Sequence, residues 1–529
     1  MNISRQRMGQ AALLIIAGTI LSNIFGLIRE TIIAYQFGAT AQTDAYLVAS
    51  VIPMALSGMV AGAVAVAFIP VFTEYRLKAG EGEAWTIASA VITLAALFLV
   101  AGAVLYLLAA PFLVPLLGPG LAPETKALAV HLSRLLVPAI IFTGLVGLAT
   151  AVLNAYRHFT FPAFAGLLNN FGIIGGALLL GGLMGISGLV VGAVAGAAAH
   201  LLALSVPLAG KKTYYRPTLK GLRHPGVKKI GLLLLPFIVG SAAGQINLLV
   251  DRVLASGLVE GSISALNFAV RVMQLPLGIF AGAAATAAYP FLAEQAAAEN
   301  ADDLRRTFSE GLRVLWFIVF PLSVGLMVLG QPIIRLLFER GAFDAAATQM
   351  TAVALLYYSL GIFAHAANVL LVRVYFALQD TATPTKLGLL AVGLNIVLNL
   401  ILVRYLAHGG LALASSIAAA VNCLLLAYYL RRRLGNLDGR RILRSTVKFA
   451  AASLAMGLAV AAAYSYTASF FDTALLTHRL LQVSGLIALG GAVYLGAAAL
   501  LRTEELARII MQAGARLLPG DVGGIEGWK

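Results

Sequence analysis

From 11-AALLIIAGTILSNIFGLI-28 to the stretch 480–501, this chain offers one apolar run after another, each close to the roughly 20 residues that a helix needs to cross a bilayer. That recurrence constrains the fold more than any other feature. A chain so organised can satisfy its backbone polar groups in lipid only as helices or as a closed barrel. The runs are continuous rather than alternating, which argues against a barrel. Composition agrees: 60% of the 529 residues are hydrophobic and 11% are charged, against about 25% charged in an ordinary soluble domain. The expected fold class is an all-α polytopic membrane protein.

About fourteen spans can be placed, at 11–34, 45–72, 86–109, 127–152, 161–183, 186–208, 229–255, 262–288, 312–334, 349–373, 385–406, 410–431, 447–468 and 480–501. The first is too long, and lacks the cleavage site, for a signal peptide. The connections alternate in charge. One set holds Arg5, Arg7, Arg76, Lys78, Arg157, the cluster Lys211 to Lys229, Arg305, Arg306, Arg373, Lys386, the cluster Arg431 to Lys448 and the basic C-terminal tail; the other holds only Lys126, Arg335, Arg340, Arg404 and Arg479. Basic loops stay on the cytoplasmic side, so both termini are expected there. The net charge of +15 is therefore assigned to topology and to anionic membrane lipids, not to nucleic acid. Cys423 is alone in the chain; it can form no intrachain disulfide and is read as a packing residue.

Short segments recur at an offset of about 220 residues. They pair 66-VAFIPVFTE-74 with 286-TAAYPFLAE-294, 155-AYRHFTFP-162 with 377-ALQDTATP-384, and 185-GISGLVVG-192 with 409-GGLALASS-416. Six spans lie between matched segments, so the two halves have the same orientation. Two parallel six-helix repeats around a central cavity are expected, a transporter arrangement. The domains then read as an N-terminal bundle 1–208, a basic linker 209–228, a C-terminal bundle 229–431, an additional helix pair within 432–501 and a tail 502–529. Leu506, Ile509, Ile510 and Leu517 give that tail an amphipathic spacing.

Arg29, Arg134, Arg252 and Arg271 fall inside spans. A guanidinium in the bilayer is costly and normally faces a wet cavity or a partner. Arg29 lies near a span end, where it could snorkel or pair with Glu30. Arg271 lies near a span centre with no acid within two turns, so it is expected to find water, backbone or a ligand. Arg252, beside Asp251, is open to a structural ion pair or to substrate contact, and Arg134 reads as an interface anchor. If the repeat brings Arg29, Arg252 and Arg271 to one cleft, they suit a phosphate-bearing anion. Asp251, Asn247, Asn368, Asn395 and Asn399 could hold a coupling cation or simply hydrogen-bond between helices. No Walker, HExxH or catalytic-triad pattern is present. The seven histidines are scattered, with His200 and His365 reading as packing residues, and no metal is assigned.

The order FGLIRETIIAYQFGATAQTDAYLVA, IP, AFIPVFTEY, NLLVDRVLASGL, VRVMQLPLGIF and YFALQDTATPTK, followed by an extra span pair, resembles the MurJ (MviN) family of lipid II flippases, within the multidrug/oligosaccharidyl-lipid/polysaccharide exporter superfamily. The resemblance covers about the whole chain. It implies alternating access in the bacterial cytoplasmic membrane, carrying an undecaprenyl-pyrophosphate-linked peptidoglycan precursor, lipid II or a similar lipid-linked glycan, with no enzymatic step. It further implies that Arg29 matches the family's arginine before an acidic residue, that Arg271 matches its cavity arginine in the eighth span, that Asp44 matches the aspartate of its T-D-A element, and that the extra pair forms a groove for the lipid tail. Arg29, Arg271 and Arg252 are then expected to hold the pyrophosphate, and Asp44 to help gate the outer side. Two departures stand out. Asn23 occupies a position where the family commonly has a further arginine, and 53-PMALSGMVAG-62 carries no charge where arginine and glutamate are common. These departures keep a flippase for another polyprenyl-linked glycan in view. A drug/cation antiporter of the same fold is the other alternative, disfavoured by arginines where a cation exporter needs acids.

Overall fold

Runs of Leu, Ala, Val and Ile uninterrupted by turn residues favour helix wherever no water competes for the backbone, and the computed structural model is helical throughout its main elements. It describes residues 2–211, 215–218, 220–467 and 475–508. The helices are α1 (Asn2–Phe37), α2 (Ala41–Lys78), α3 (Glu81–Leu117), α4 (Pro123–Ala155), α5 (Thr160–Gly175), α6 (Gly181–Met184), α7 (Ile186–Leu208), α8 (Pro225–Ser256), α9 (Ser262–Pro276), α10 (Gly282–Ala297), α11 (Ala301–Phe338), α12 (Ala345–Ser359), α13 (Ile362–Ala377), α14 (Ala382–Leu434), α15 (Gly439–Thr467) and α16 (Leu476–Leu500). Single π-helical turns, Gly176–Leu180 and Leu277–Ala281, join α5 to α6 and α9 to α10. Among the described residues, ten helices are long and apolar enough to cross a membrane, or eleven spans if α12 and α13 count as one. The amphipathic tail expected around Ile509, Ile510 and Leu517 lies outside the described residues, as do parts of the linker.

One expected span has more structure than its hydropathy conveys. The stretch 349–373 breaks between α12 and α13 with a bend of 48°. At the break Gly361 lies against Ser416, whose Cα would be 2.7 Å from a Cβ added there. Carbonyls released by the break find hydroxyl donors: Ser416 Oγ donates to Tyr357 O at 2.7 Å, and Ser323 Oγ donates to Ser359 O. A broken helix is tolerated in a membrane when the protein satisfies its freed groups in this way. The 53-residue α14 is in fact two helices joined at Ala407, where φ is 48° and ψ is −131°. This agrees with the break expected between 406 and 410.

The chain forms two compact units. One comprises Met1–Val272, Phe338–Thr351 and Val392–Leu411; the other comprises Met273–Leu337, Ala352–Ala391 and Ala412–Lys529. The first is centred on Phe68, Phe72, Ile87, Leu148 and Val152, with Trp85 Nε1 donating to Tyr156 Oη at 2.9 Å. Its α5 and α7 touch backbone to backbone: a Cβ on Gly172 would lie 2.3 Å from Gly196 Cα, the close approach that small residues permit between membrane helices.

In the second unit, α15 and α16 pack on α11 through Phe317, Phe449, Met456 and Tyr494, and Tyr494 Oη donates to Phe317 O at 2.6 Å. Below this apolar core lies a polar staple. Arg313, 1% exposed, donates through Nη1 to Glu505 Oε1 at 2.6 Å and to Glu504 Oε2 at 3.2 Å. Ser445 Oγ donates to the same Glu505 oxygen at 3.1 Å, and Arg441 Nη2 to Glu504 at 2.6 Å. Partial burial works against ionisation of Glu504, but the bonds from Arg441 and Arg313 prevail and hold its carboxyl below the usual range.

Candidate functional site

Arg29 and Arg271 converge on one carboxylate. Glu30 follows Arg29 on α1 and is 4% exposed. Its Oε1 lies 2.6 Å from Arg29 Nη2 and 3.5 Å from Arg271 Nε on α9. Asn267, one turn before Arg271 and on the same helical face, directs Nδ2 to Glu30 Oε2 at 3.5 Å, while Arg29 Nη1 donates to Asn170 Oδ1 on α5 at 3.1 Å. Arg271 therefore has an acidic partner, contrary to the expectation of water, backbone or ligand alone. That partner comes from another helix, beyond the reach of a search along α9. Two guanidinium groups around one carboxylate leave a formal charge of +1. Arg271 keeps 38% of its side chain exposed, against 15% for Arg29. The group that remains accessible is a cation.

The other expected site residues make contacts of their own. Asn23 is half-buried on α1. Arg252 on α8 donates through Nη1 to Ile263 O, at the start of α9, at 3.2 Å. Asp251 Oδ1 accepts from Asn399 Nδ2 at 2.6 Å, and the same amide lies 2.9 Å from Asn395 Oδ1. Asn399 Oδ1 and Asn247 Oδ1 are buried with no hydrogen-bond partner among the described residues. These are oxygen-rich surroundings, and no cluster of three or more His, Cys, Asp or Glu suited to a metal occurs among the described residues.

Asp44 forms a clasp between helix ends. It lies in the first turn of α2, 2% exposed. Oδ2 accepts the Gly261 amide at 2.8 Å, and Oδ1 accepts both the amide of Ser264 at 2.8 Å and its hydroxyl. The carboxylate thus caps the N-terminus of α9, where unpaired amides favour negative charge. Glu260 completes the exchange: its Oε1 accepts the Ala41 amide at 2.9 Å at the start of α2. Each helix receives its cap from the segment that begins the other. Glycine is needed where these loops meet. Gly261 has φ of +85°, and a Cβ there would lie 2.2 Å from Ala39 O; Gly38 has φ of +65°, with Ala342 O 2.3 Å from its notional Cβ. Glu260 and Ser264 were not picked out from the sequence. Their signal was the 260-EGSIS-264 stretch before an apolar run, a weak capping pattern on its own.

An Asp44→Ala variant is expected to lose about 1–3 kcal/mol, because two buried amides are left without acceptors. Thermal unfolding in detergent should show the loss, with a smaller one for Asp44→Asn, which keeps an acceptor oxygen. An unchanged midpoint for Asp44→Ala would mean that the clasp carries no stabilisation.

Residues 33–482 match the family model described as lipid II flippase MurJ. The chain belongs to the lipid II flippase MurJ family. The lipid II flippase MurJ of Burkholderia cenocepacia is 32% identical over 440 residues, 80% of this chain and 84% of that protein. The probable lipid II flippase MurJ of Vibrio cholerae is 33% identical over 433 residues, 80% of this chain and 82% of that protein. Among solved structures, a lipid II flippase MurJ in an inward closed conformation superposes with a TM-score of 0.79 at 28% identity, covering 92% of this chain and 98% of that one. A multidrug resistance MATE family transporter of the MOP superfamily, inward-facing, gives a TM-score of 0.70 at 15% identity, covering 81% and 99%; it shares the fold. The paired arginines and the Asp44 clasp each combine burial, charge and convergence from several helices, as does the Arg313–Glu505 staple.

Proposed function

We propose that this protein is a lipid II flippase of the bacterial cytoplasmic membrane, a transporter rather than an enzyme, working by alternating access. The carrying observation is the shared carboxylate: Arg29 and Arg271 both reach Glu30, and Arg271 stays partly exposed. A pyrophosphate brings more negative charge than a single carboxylate and more acceptor oxygens, so it can take over Arg271 and draw on Arg29 through paired, charge-assisted hydrogen bonds. Arg252, held at the start of α9, joins as the cap region rearranges. Asp44 serves as the gate on the outer side, since its clasp must open for that end of the cavity to open.

The finer architecture belongs to the same proposal. Fourteen spans follow if α1, α8 and both halves of α14 each cross the membrane. At 1.5 Å per residue the 53 residues of α14 would otherwise extend about 80 Å, well over twice a bilayer core. The parallel repeats, with bundles 1–208 and 229–431 and the extra pair 432–501, gain support from the clasp, because Asp44 bonds a serine 220 residues along the chain, close to the repeat offset. The loop charges favour both termini in the cytoplasm. For coupling, Asp251, Asn395 and Asn399 offer a carboxylate and amide oxygens suited to a small cation.

The decisive test is rescue of cells depleted of their own lipid II flippase. Wild type should restore peptidoglycan synthesis, and Arg29→Ala and Arg271→Ala should fail at equal membrane level. If the wild type fails despite good expression, another polyprenyl-linked glycan becomes the better substrate, the reading that Asn23 and the uncharged 53–62 stretch favour. If both alanine variants rescue fully, the anion site is wrong.

A further inference from the structure

The connection between α14 and α15, expected on the cytoplasmic side from its basic charge, holds arginines that the transport reading does not use. Of the six between 431 and 444, two are neutralised within the protein. Arg433 Nη1 lies 3.0 Å from Asp380 Oδ2, and Arg441 Nη2 lies 2.6 Å from Glu504 Oε2. The acid in the connection, Asp438, accepts from Ser309 Oγ at 3.4 Å. Arg431, Arg432, Arg440 and Arg444 are exposed, and among the described residues none pairs with a carboxylate.

Their positions on the helices say what they face. On α14, Leu424 and Tyr428 are 69% and 49% exposed, and steps of four, three and four residues carry that face from Leu424 through Tyr428 to Arg431 and Arg432. Arg432 lies over the Tyr428 ring, 5.0 Å from its centroid. On α15, Leu443, Val447, Leu454 and Leu458 are 60–65% exposed; Arg440 and Arg444 fall on that stripe at the same helical spacing, at its polar end. Large apolar side chains exposed along a membrane helix face acyl chains, and an aromatic followed by arginine at the end of such a face marks the headgroup layer. Two lipid-facing stripes therefore each end in a pair of unneutralised guanidinium groups, one short connection apart.

We propose that Arg431, Arg432, Arg440 and Arg444 form a binding site for the phosphate of an anionic phospholipid, with its acyl chains along the exposed faces of α14 and α15. The neutralised pairs, Arg433–Asp380 and Arg441–Glu504, fix the two helix ends so that the four free groups border one headgroup position. A phosphodiester of single charge suits arginines that hold no other anion, and phosphatidylglycerol is the probe.

The test uses the full-length protein in vesicles of phosphatidylcholine with a minor fraction of spin-labelled phosphatidylglycerol, reading the motionally restricted fraction against spin-labelled phosphatidylcholine. Selectivity for phosphatidylglycerol should fall about fivefold per arginine removed, hence by an order of magnitude or more for Arg440→Gln/Arg444→Gln and for Arg431→Gln/Arg432→Gln. The lysine versions should retain most of it. Arg216→Gln/Arg223→Gln removes the same charge from exposed positions elsewhere and should leave selectivity unchanged. An equal fall in that control would reduce the effect to general surface charge, and no fall in either test pair would leave these arginines as topological signals alone. A third arm adds undecaprenyl pyrophosphate: if it displaces phosphatidylglycerol at trace amounts, the occupant is the transported lipid class and the proposal is overturned.

Discussion

Glu30→Gln is expected to abolish rescue of flippase-depleted cells while the protein still reaches the membrane. The carboxylate is 4% exposed and sits between Arg29 and Arg271. A glutamine can accept a hydrogen bond at this position but supplies no charge, so two guanidinium groups are left facing each other. Removing one member of a buried, hydrogen-bonded charge cluster costs about 3–5 kcal/mol, chiefly because the remaining charges lose their compensation. The midpoint of thermal unfolding in detergent should fall accordingly. Glu30→Asp keeps the charge on a shorter arm and should retain partial rescue. A double variant, Arg29→Gln/Glu30→Gln, separates stability from transport. It removes one cation with the anion, so it should unfold later than Glu30→Gln alone, yet still fail to rescue. Full rescue by Glu30→Gln at wild-type membrane level would show that the cluster is dispensable for transport.

That cluster also marks where the sequence stops being informative. Apolar runs specified the helices because, in lipid, a run of this length has few other ways to satisfy its backbone. The break near Ala407 was legible for a local reason: 405-YLAHGG-410 interrupts the apolar run with polar and glycine residues. Arg29 and Glu30 are neighbours, so their pairing could be suspected. The claim of Arg271 on the same carboxylate could not, since it depends on how α9 packs against α1. Asp44 was picked out, but its role as a cap for α9 depends on backbone amides of Gly261 and Ser264, and amides are present at nearly every position of any sequence. The bend at Gly361 was hidden for a related reason. Ser359 and Gly361 sit in a stretch otherwise long and apolar enough for one span, and the hydroxyls that satisfy the freed carbonyls come from Ser323 and Ser416, on other helices.

Arg313→Ala is expected to destabilise the second compact unit by about 3–5 kcal/mol, the cost of leaving a buried carboxylate without its partner. Glu505, 2% exposed, would retain only the Ser445 hydroxyl at 3.1 Å among the contacts that Oε1 now makes. Glu504 would suffer less, because it is half exposed and keeps Arg441 at 2.6 Å. The effect should therefore resemble Glu505→Ala, which strands the arginine, and greatly exceed that of Glu504→Ala. Arg313→Met/Glu505→Leu removes both buried charges and fills much of the same volume with apolar atoms. It should recover most of the lost stability, since a well-packed apolar pair commonly equals or exceeds a buried ion pair. Thermal unfolding of the four variants in one detergent makes the comparison. If the double substitution is as damaging as Arg313→Ala, the staple acts by fixing the position of the segment after α16 rather than by compensating charge. If Arg313→Ala unfolds with the wild type, the staple contributes nothing, and the Phe317–Phe449–Tyr494 core alone holds α15 and α16 on α11.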